Sequence, residues 1–259
     1  MNTASSHSAP EPPGRSTGRP SYREGKYPVL ALFPYLLVAA TILAALSGAR
    51  HLLYRIAPEM TWLHSGELHR LLDVNGEGNL IVWFTAGLWL ILGLTATGLG
   101  VLLGDRRMFV LSAVGFLASM DETASIHESF NHVGWALADR WGLTVSTWPW
   151  VFFGAPVALA VVLITVPLLR SLPTAVSKTL IIAGLIFLTA VLFLEAISGL
   201  FMDGDIATNP VAYVLVTHAE EYLEMVAISL ALSALVALTR WDKETRTVRA
   251  RVALSHPKD

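Results

Sequence analysis

Cysteine is absent from all 259 residues. Disulfides, thiolate-held zinc, iron–sulfur clusters, thiol nucleophiles and lipidated cysteines are therefore closed to this chain. Charge is scarce too: Asp, Glu, Lys and Arg make up 15% of the residues, against roughly 25% in a soluble globular domain. Eighteen basic residues nearly balance twenty acidic ones, for a formal net charge of −2, so nothing points to a nucleic-acid partner. Hydrophobic residues reach 54% and the mean hydropathy is +0.56, which excludes a disordered chain. An integral membrane protein remains, with membrane lipid as its first partner.

Six apolar runs follow one another: Pro28–Ala49, Leu80–Leu103, Met108–Phe130, Trp148–Leu169, Thr179–Phe201 and Val211–Thr239. Each approaches the ~20 residues a helix needs to cross the hydrocarbon. None alternates as a barrel strand does, and backbone groups in lipid must pair internally. The expected fold is all-α, a polytopic bundle of six transmembrane helices over residues 28–239. Residues 1–27, rich in Ser, Pro, Gly and Arg, read as a disordered basic tail, too long and polar for a cleaved signal peptide. The loop 51–79 has Leu68, Leu71 and Leu72 beside Glu67, Arg70 and Asp73, the pattern of a short interfacial helix. Fourteen of the eighteen Lys and Arg fall on one side of this topology, in the tail, the loops at 104–107 and 170–178, and the basic segment 240–259. The positive-inside rule then makes both termini cytoplasmic, in a bacterial inner (plasma) membrane.

A second shortage is local. Met108–Asp139 and Thr179–Thr239 hold ten acids and no Lys or Arg. Asp139, Asp203 and Asp205 fall in outer loops. Asp121, Glu122, Glu128, Glu195, Glu220, Glu221 and Glu224 fall inside or at the edge of spans, where a lone carboxylate costs a few kcal/mol. Counting helical rise from the cytoplasmic end puts Asp121, Glu195, Glu224 and Glu221 at about 20, 24, 22 and 27 Å. These levels form one slab in the outer half of the bilayer, with Glu128 and Glu220 slightly above it. On a straight third helix Asp121, Ser125, Glu128 and His132 share one stripe; Glu122 flanks it and His127 lies away from it. On the last helix Thr217, Glu220, Glu221 and Glu224 share a face, with His218 beside it. The fourth span has no ionisable residue and is expected to face lipid, with Trp62, Trp148 and Trp150 in an aromatic belt.

So many acids without a basic partner need protons, water or a bound cation. Carboxylates with imidazole suit Zn, Fe or Mn, so the candidate ligands of a divalent metal are Asp121, Glu122, His127, Glu128, Glu195, His218, Glu221 and Glu224. Asp121, Glu128 and Glu221 are also candidates for general-base work. Glu77, Asn79, Ser125, His132 and Glu220 are candidate supporting residues, although Gly78 and Asn79 equally suit a turn and a helix start. Familiar templates fail. Neither acidic helix carries the Glu-x-x-His of a di-iron bundle, and no His-Glu-x-x-His or Gly-x-Ser-x-Gly motif is present.

Glu77-Gly78-Asn79 ahead of Trp83-Phe84, Ser119-Met120-Asp121-Glu122 with Ile126-His127-Glu128, and Glu220-Glu221-x-x-Glu224-Met225 together resemble a bacterial family of six- to seven-span membrane proteins of uncharacterised function. The likeness spans about residues 28–240. It implies that these positions belong together and implies no activity. Three readings stay open: a metal-dependent membrane enzyme acting on a lipid or other small apolar substrate, a proton- or cation-coupled transporter or channel, and a non-catalytic subunit or assembly factor. Against transport, the acids stop short of the cytoplasmic half, where only Thr and Ser follow.

Overall fold

The computed structural model describes residues 21–57, 59–60, 66–74, 76, 78–203, 206–252 and 254–255. Apolar runs become helices because a helix pairs its own backbone groups, which lipid cannot do. The helices are α1 (Phe33–Ile56), α2 (Glu67–Leu72), α3 (Leu80–Leu103), α4 (Arg107–Ala124), α5 (Ile126–Trp141), α6 (Trp150–Leu169), α7 (Thr174–Leu188), α8 (Glu195–Gly199) and α9 (Pro210–Val236). A π-helical stretch, Thr189–Leu194, joins α7 to α8. Among the described residues, four helices are long and apolar enough to cross a membrane: α1, α3, α6 and the continuous Thr174–Gly199. Counting the bent pair α4–α5 as one span makes five. The 27-residue α9 is long enough as well, but its polar stretch carries Glu220, Glu221 and Glu224.

Helix α9 is the centre of the bundle, packed by α1, α3, α7 and α8. Its half from Met225 to Leu235 is almost wholly buried, and Ile228, Leu232 and Leu235 meet Leu92 and Leu99 of α3 and Val176 of α7 in the main core. Helices α3 and α4 pack closest, because glycines face each other: a Cβ on Gly115 would stand 2.8 Å from Gly93 Cα. Sequence places the start of the first span at Pro28, whereas α1 begins at Phe33. Pro34 suits the first helical turn, and Ser233 Oγ of α9 accepts the N–H groups of Leu32 and Phe33 at 3.2 and 3.1 Å.

Where the first and last described residues meet the bundle, the segment before α1 makes defined contacts. Residues 21–27, the last of the expected disordered tail, pack onto the bundle. Tyr22 is buried, and its phenol donates to Asp105 Oδ2 at 2.6 Å. Arg107 closes on the same carboxylate at 2.9 Å. Burial raises the Asp105 carboxyl, but the hydrogen bonds from Arg107 and Tyr22 prevail and hold it below the usual carboxylate range. Burial, then the bond to Asp105, pushes the Tyr22 phenol above its ordinary range. Glu24 caps α7 from far off in sequence, accepting from Thr174 N–H at 2.9 Å and Oγ1 at 2.7 Å. The segment after α9 forms an antiparallel hairpin, β4 (Thr239–Asp242) with β5 (Thr247–Ala250). Two shorter pairings, β1 (Ser21–Tyr22) with β6 (Leu254–Ser255) and β2 (Met202–Asp203) with β3 (Ile206–Ala207), complete the strands among the described residues. The fold is therefore mostly, not wholly, helical.

One departure from sequence expectation decides the site. The third apolar run is not straight: α4 and α5 meet at 70°, at Ser125 with φ 46° and ψ 45°. A left-handed residue without glycine is costly. Asp121 compensates by accepting the His127 backbone N–H at 2.9 Å, which satisfies an otherwise orphaned donor at the start of α5.

Candidate functional site

At the end of the bundle away from the termini, α4, the first turn of α5, α8 and α9 enclose a cavity of about 230 Å³. All seven membrane-level acids line it: Asp121 and Glu122 from α4, Glu128 from α5, Glu195 from α8, and Glu220, Glu221 and Glu224 from α9. His127 and Ser125 join them, with no Lys or Arg in the lining among the described residues. Val74, Val82, Ala118, Phe187 and Val191 supply apolar wall, and apolar wall strengthens every charge effect inside. Glu122 and Glu224 stand within side-chain hydrogen-bonding reach of each other, as do Glu195 and Glu220. Two carboxylates that close cannot both stay ionised without a proton or a cation between them.

Among the described residues, His127 is the one imidazole lining the cavity, and the bend put it there. On a straight helix it points away from Asp121. With α5 turned by 70°, His127 Nδ1 lies 2.8 Å from Asp121 Oδ2. Both Asp121 oxygens are now committed to His127, one to its backbone and one to its ring. Asp121 is therefore placed to orient the ring, since a carboxylate accepting from Nδ1–H holds an imidazole by that edge.

Most of α6 is exposed, as expected of a lipid-facing span, but its first turn points inward. Trp150, in the first turn of α6, is buried and donates its indole N–H to Glu195 Oε1 at 2.9 Å. Its ring lies 4.7 Å from the His127 ring, centroid to centroid. Its backbone N–H is held by the buried Asn131 Oδ1 at 3.0 Å. The only sequence signal for Trp150 was its position at the end of a span, which an aromatic belt explains equally well. The π-helical stretch Thr189–Leu194 widens the helix just before Glu195 and so sets the face on which that residue emerges. Such insertions have no marker in sequence and recur at functional sites.

Three candidates are not brought in. His218 is turned toward α1: its Nδ1 donates to the Val214 carbonyl at 2.8 Å and its Nε2 lies 3.1 Å from Ser47 Oγ. Bending carries His132 out to a shallow pocket beside Trp135, which shares only Ser125 and Glu128 with the acidic cavity. Asn79 is a helix cap, accepting from Val82 N–H at 2.8 Å and donating to the carbonyls of Asp73 and Gly76. Glu77 lies outside the described residues. Among the described residues, no three His, Asp or Glu donors are drawn together into a group that could hold a metal ion as placed.

No curated protein and no solved structure matches this chain. A family described as a domain of unknown function, DUF8692, matches residues 29–238. That match takes in every helix named above, and the chain belongs to the DUF8692 family.

Proposed function

We propose that the acidic cavity is a divalent-cation site in the outer half of a six-span bundle, with both termini cytoplasmic in a bacterial plasma membrane. The sixth span is α9, whose acids face inward. Seven acids around one cavity, with no basic residue among its described lining residues, carry this reading. Glu122, Glu195, Glu221 and Glu224 are the carboxylate ligands and His127 Nε2 the nitrogen ligand, held by Asp121. The ion meets side chains that swing inward, since no cage is preformed among the described residues. Such a set suits Zn, Fe or Mn, and a bound ion would lower the pKa of its water or polarise a substrate carbonyl or phosphoryl oxygen. Glu128 lines both the cavity and the open pocket outside it, the place for a general base that exchanges protons with water. A lipid or other apolar substrate would reach the site from the bilayer.

Elemental analysis of detergent-purified protein tests the reading directly. A stoichiometric divalent metal retained by wild type and lost in Glu221→Gln supports it. Absence of metal after growth in Zn-, Fe- and Mn-supplemented medium, or retention by the variant, overturns it. Transport is the second reading. Thr85 Oγ1, Trp89 Nε1 and Ser229 Oγ are buried without a partner among the described residues, on the α3 and α9 segments running inward from the acids. These groups extend polarity past the last carboxylate. pH-dependent cation flux into proteoliposomes, abolished by Glu224→Gln, favours transport over catalysis.

A further inference from the structure

A second polar cluster lies outside the acidic cavity, centred on Arg50. Arg50 sits near the far end of α1 and is only 4% exposed. A buried guanidinium must find acceptors, and most of those it finds are histidines. Its Nη1 donates to His69 Nδ1 at 2.7 Å; its Nη2 donates to His51 Nε2 at 2.8 Å and to Asp73 Oδ1 at 2.7 Å. Its Nε has no partner among the described residues, so Arg50 depends on these three.

Arginine cannot accept a hydrogen bond, so each imidazole nitrogen facing it must carry a lone pair. Both His51 and His69 are therefore neutral in this arrangement. Among the described residues Asp73 is the carboxylate that meets Arg50; its oxygens also lie 3.6 Å from His51 Nε2 and from His69 Nε2. A proton arriving on either ring puts an N–H where Arg50 needs an acceptor and adds a positive charge that the one carboxylate, already matched by Arg50, does not neutralise. Among the described residues, the other charged or titratable groups facing the cluster do not reverse this balance. His218 of α9 meets His51 edge-on at 5.0 Å, and Glu67 of α2 is committed to Arg70 at 2.8 Å. The side chains of His51 and His69 are 21% and 34% exposed, so water can deliver the proton.

What the cluster holds is α2 and the residues after it. His69 is in α2, and Asp73 directly precedes Val74, a buried wall residue of the acidic cavity. We propose that Arg50, His51, His69 and Asp73 form a proton-operated latch, which holds α2 and Val74 against α1 at neutral pH and releases them on acidification. Imidazole is the side chain suited to switching between pH 5 and 8.

A nitroxide on Leu68→Cys, an exposed site in α2, reads the latch in nanodiscs, and no native cysteine competes for the label. Lowering the pH from 8 to 5 should take wild type from an immobile to a mobile spectrum, reversibly. In the His51→Gln/His69→Gln protein, whose amide oxygens accept from Arg50 without titrating, the label should stay immobile throughout. Arg50→Gln should be mobile at both pH values. An unchanged wild-type spectrum, or the same pH response in the double-Gln protein, overturns the latch. Melting curves at pH 8 establish that each variant is folded. The readout is α2 mobility, so it stands or falls separately from cation binding.

Discussion

Asp121→Asn tests whether Asp121 orients His127 or is itself a ligand. The wild-type carboxylate accepts twice, from the His127 backbone N–H at 2.9 Å and from Nδ1–H at 2.8 Å. Asparagine keeps one oxygen, which can go on accepting the backbone N–H and so preserve the start of α5. Its other terminus is now an NH₂ donor facing the ring. The imidazole answers by presenting its Nδ1 lone pair to that donor, and the proton moves to Nε2. A protonated Nε2 cannot bind a metal. Loss of an orienting carboxylate typically weakens metal binding about 10–100-fold, or about 1.4–2.8 kcal/mol. Stability of the metal-free protein should change little.

Asp121→Ala removes both bonds and should cost a further ~1 kcal/mol of stability through the lost cap. The assay is Mn²⁺ titration of apo protein, followed by electron paramagnetic resonance of the free ion, with thermal melting alongside. A double-mutant cycle with His127→Ala makes the test sharp. If Asp121 works through the ring, Asp121→Asn adds almost nothing once the ring is gone. Unchanged affinity in Asp121→Asn would refute the orienting role. So would an effect that simply adds to that of His127→Ala, since it would mean that Asp121 meets the ion directly.

Glu224→Gln should raise the melting temperature of the metal-free protein and abolish the rise that added metal produces, because it relieves a buried carboxylate pair while deleting a proposed ligand. Trp150→Phe keeps the ring beside His127 but loses the bond to Glu195. About 0.5–1.5 kcal/mol should disappear from cation binding or stability, read by the same titration and melts. Tyr22 has a raised phenol pKa, so its contribution is complete below the ordinary value of about 10 and is lost as pH rises above it. Melts from pH 8 to 11 should therefore fall less steeply in Tyr22→Phe than in wild type. Gly115→Leu must displace backbone 2.8 Å from its Cβ, and overpacking of this kind typically costs about 1–3 kcal/mol, visible as a lower melting temperature.

Helix positions were legible where only length and hydropathy mattered. Leu80–Leu103 is the same in sequence and structure, since Asn79 caps its start and Gly104 ends it in a left-handed turn. Boundaries moved where a distant residue supplied the cap. No local pattern shows that Ser233 will cap α1 or that Glu24 will cap α7, because both bonds join residues far apart in the chain. Tyr22 is similar: in a Ser/Pro/Gly/Arg-rich tail it reads as solvated, and only the folded bundle offers it Asp105.

Depth along the chain survives bending better than direction around the helix does. A rise of about 1.5 Å per residue accumulates through kinks and wide turns with small error, and the residues it levels together line one cavity. Azimuth has no such tolerance. One left-handed residue at Ser125 turns everything after it by 70°, which exchanges His132 for His127 at the cavity. The π-helical stretch has a comparable effect on Glu195. Neither carries a Gly or Pro that would announce it. The same acids that identify the region also help shape it: Asp121 stabilises the break that brings its own histidine into place. Ligand selection in a membrane helix therefore cannot be separated from the hydrogen bonds that bend it, and a straight helical wheel will misassign the imidazole in any chain where a carboxylate caps a break one turn before it.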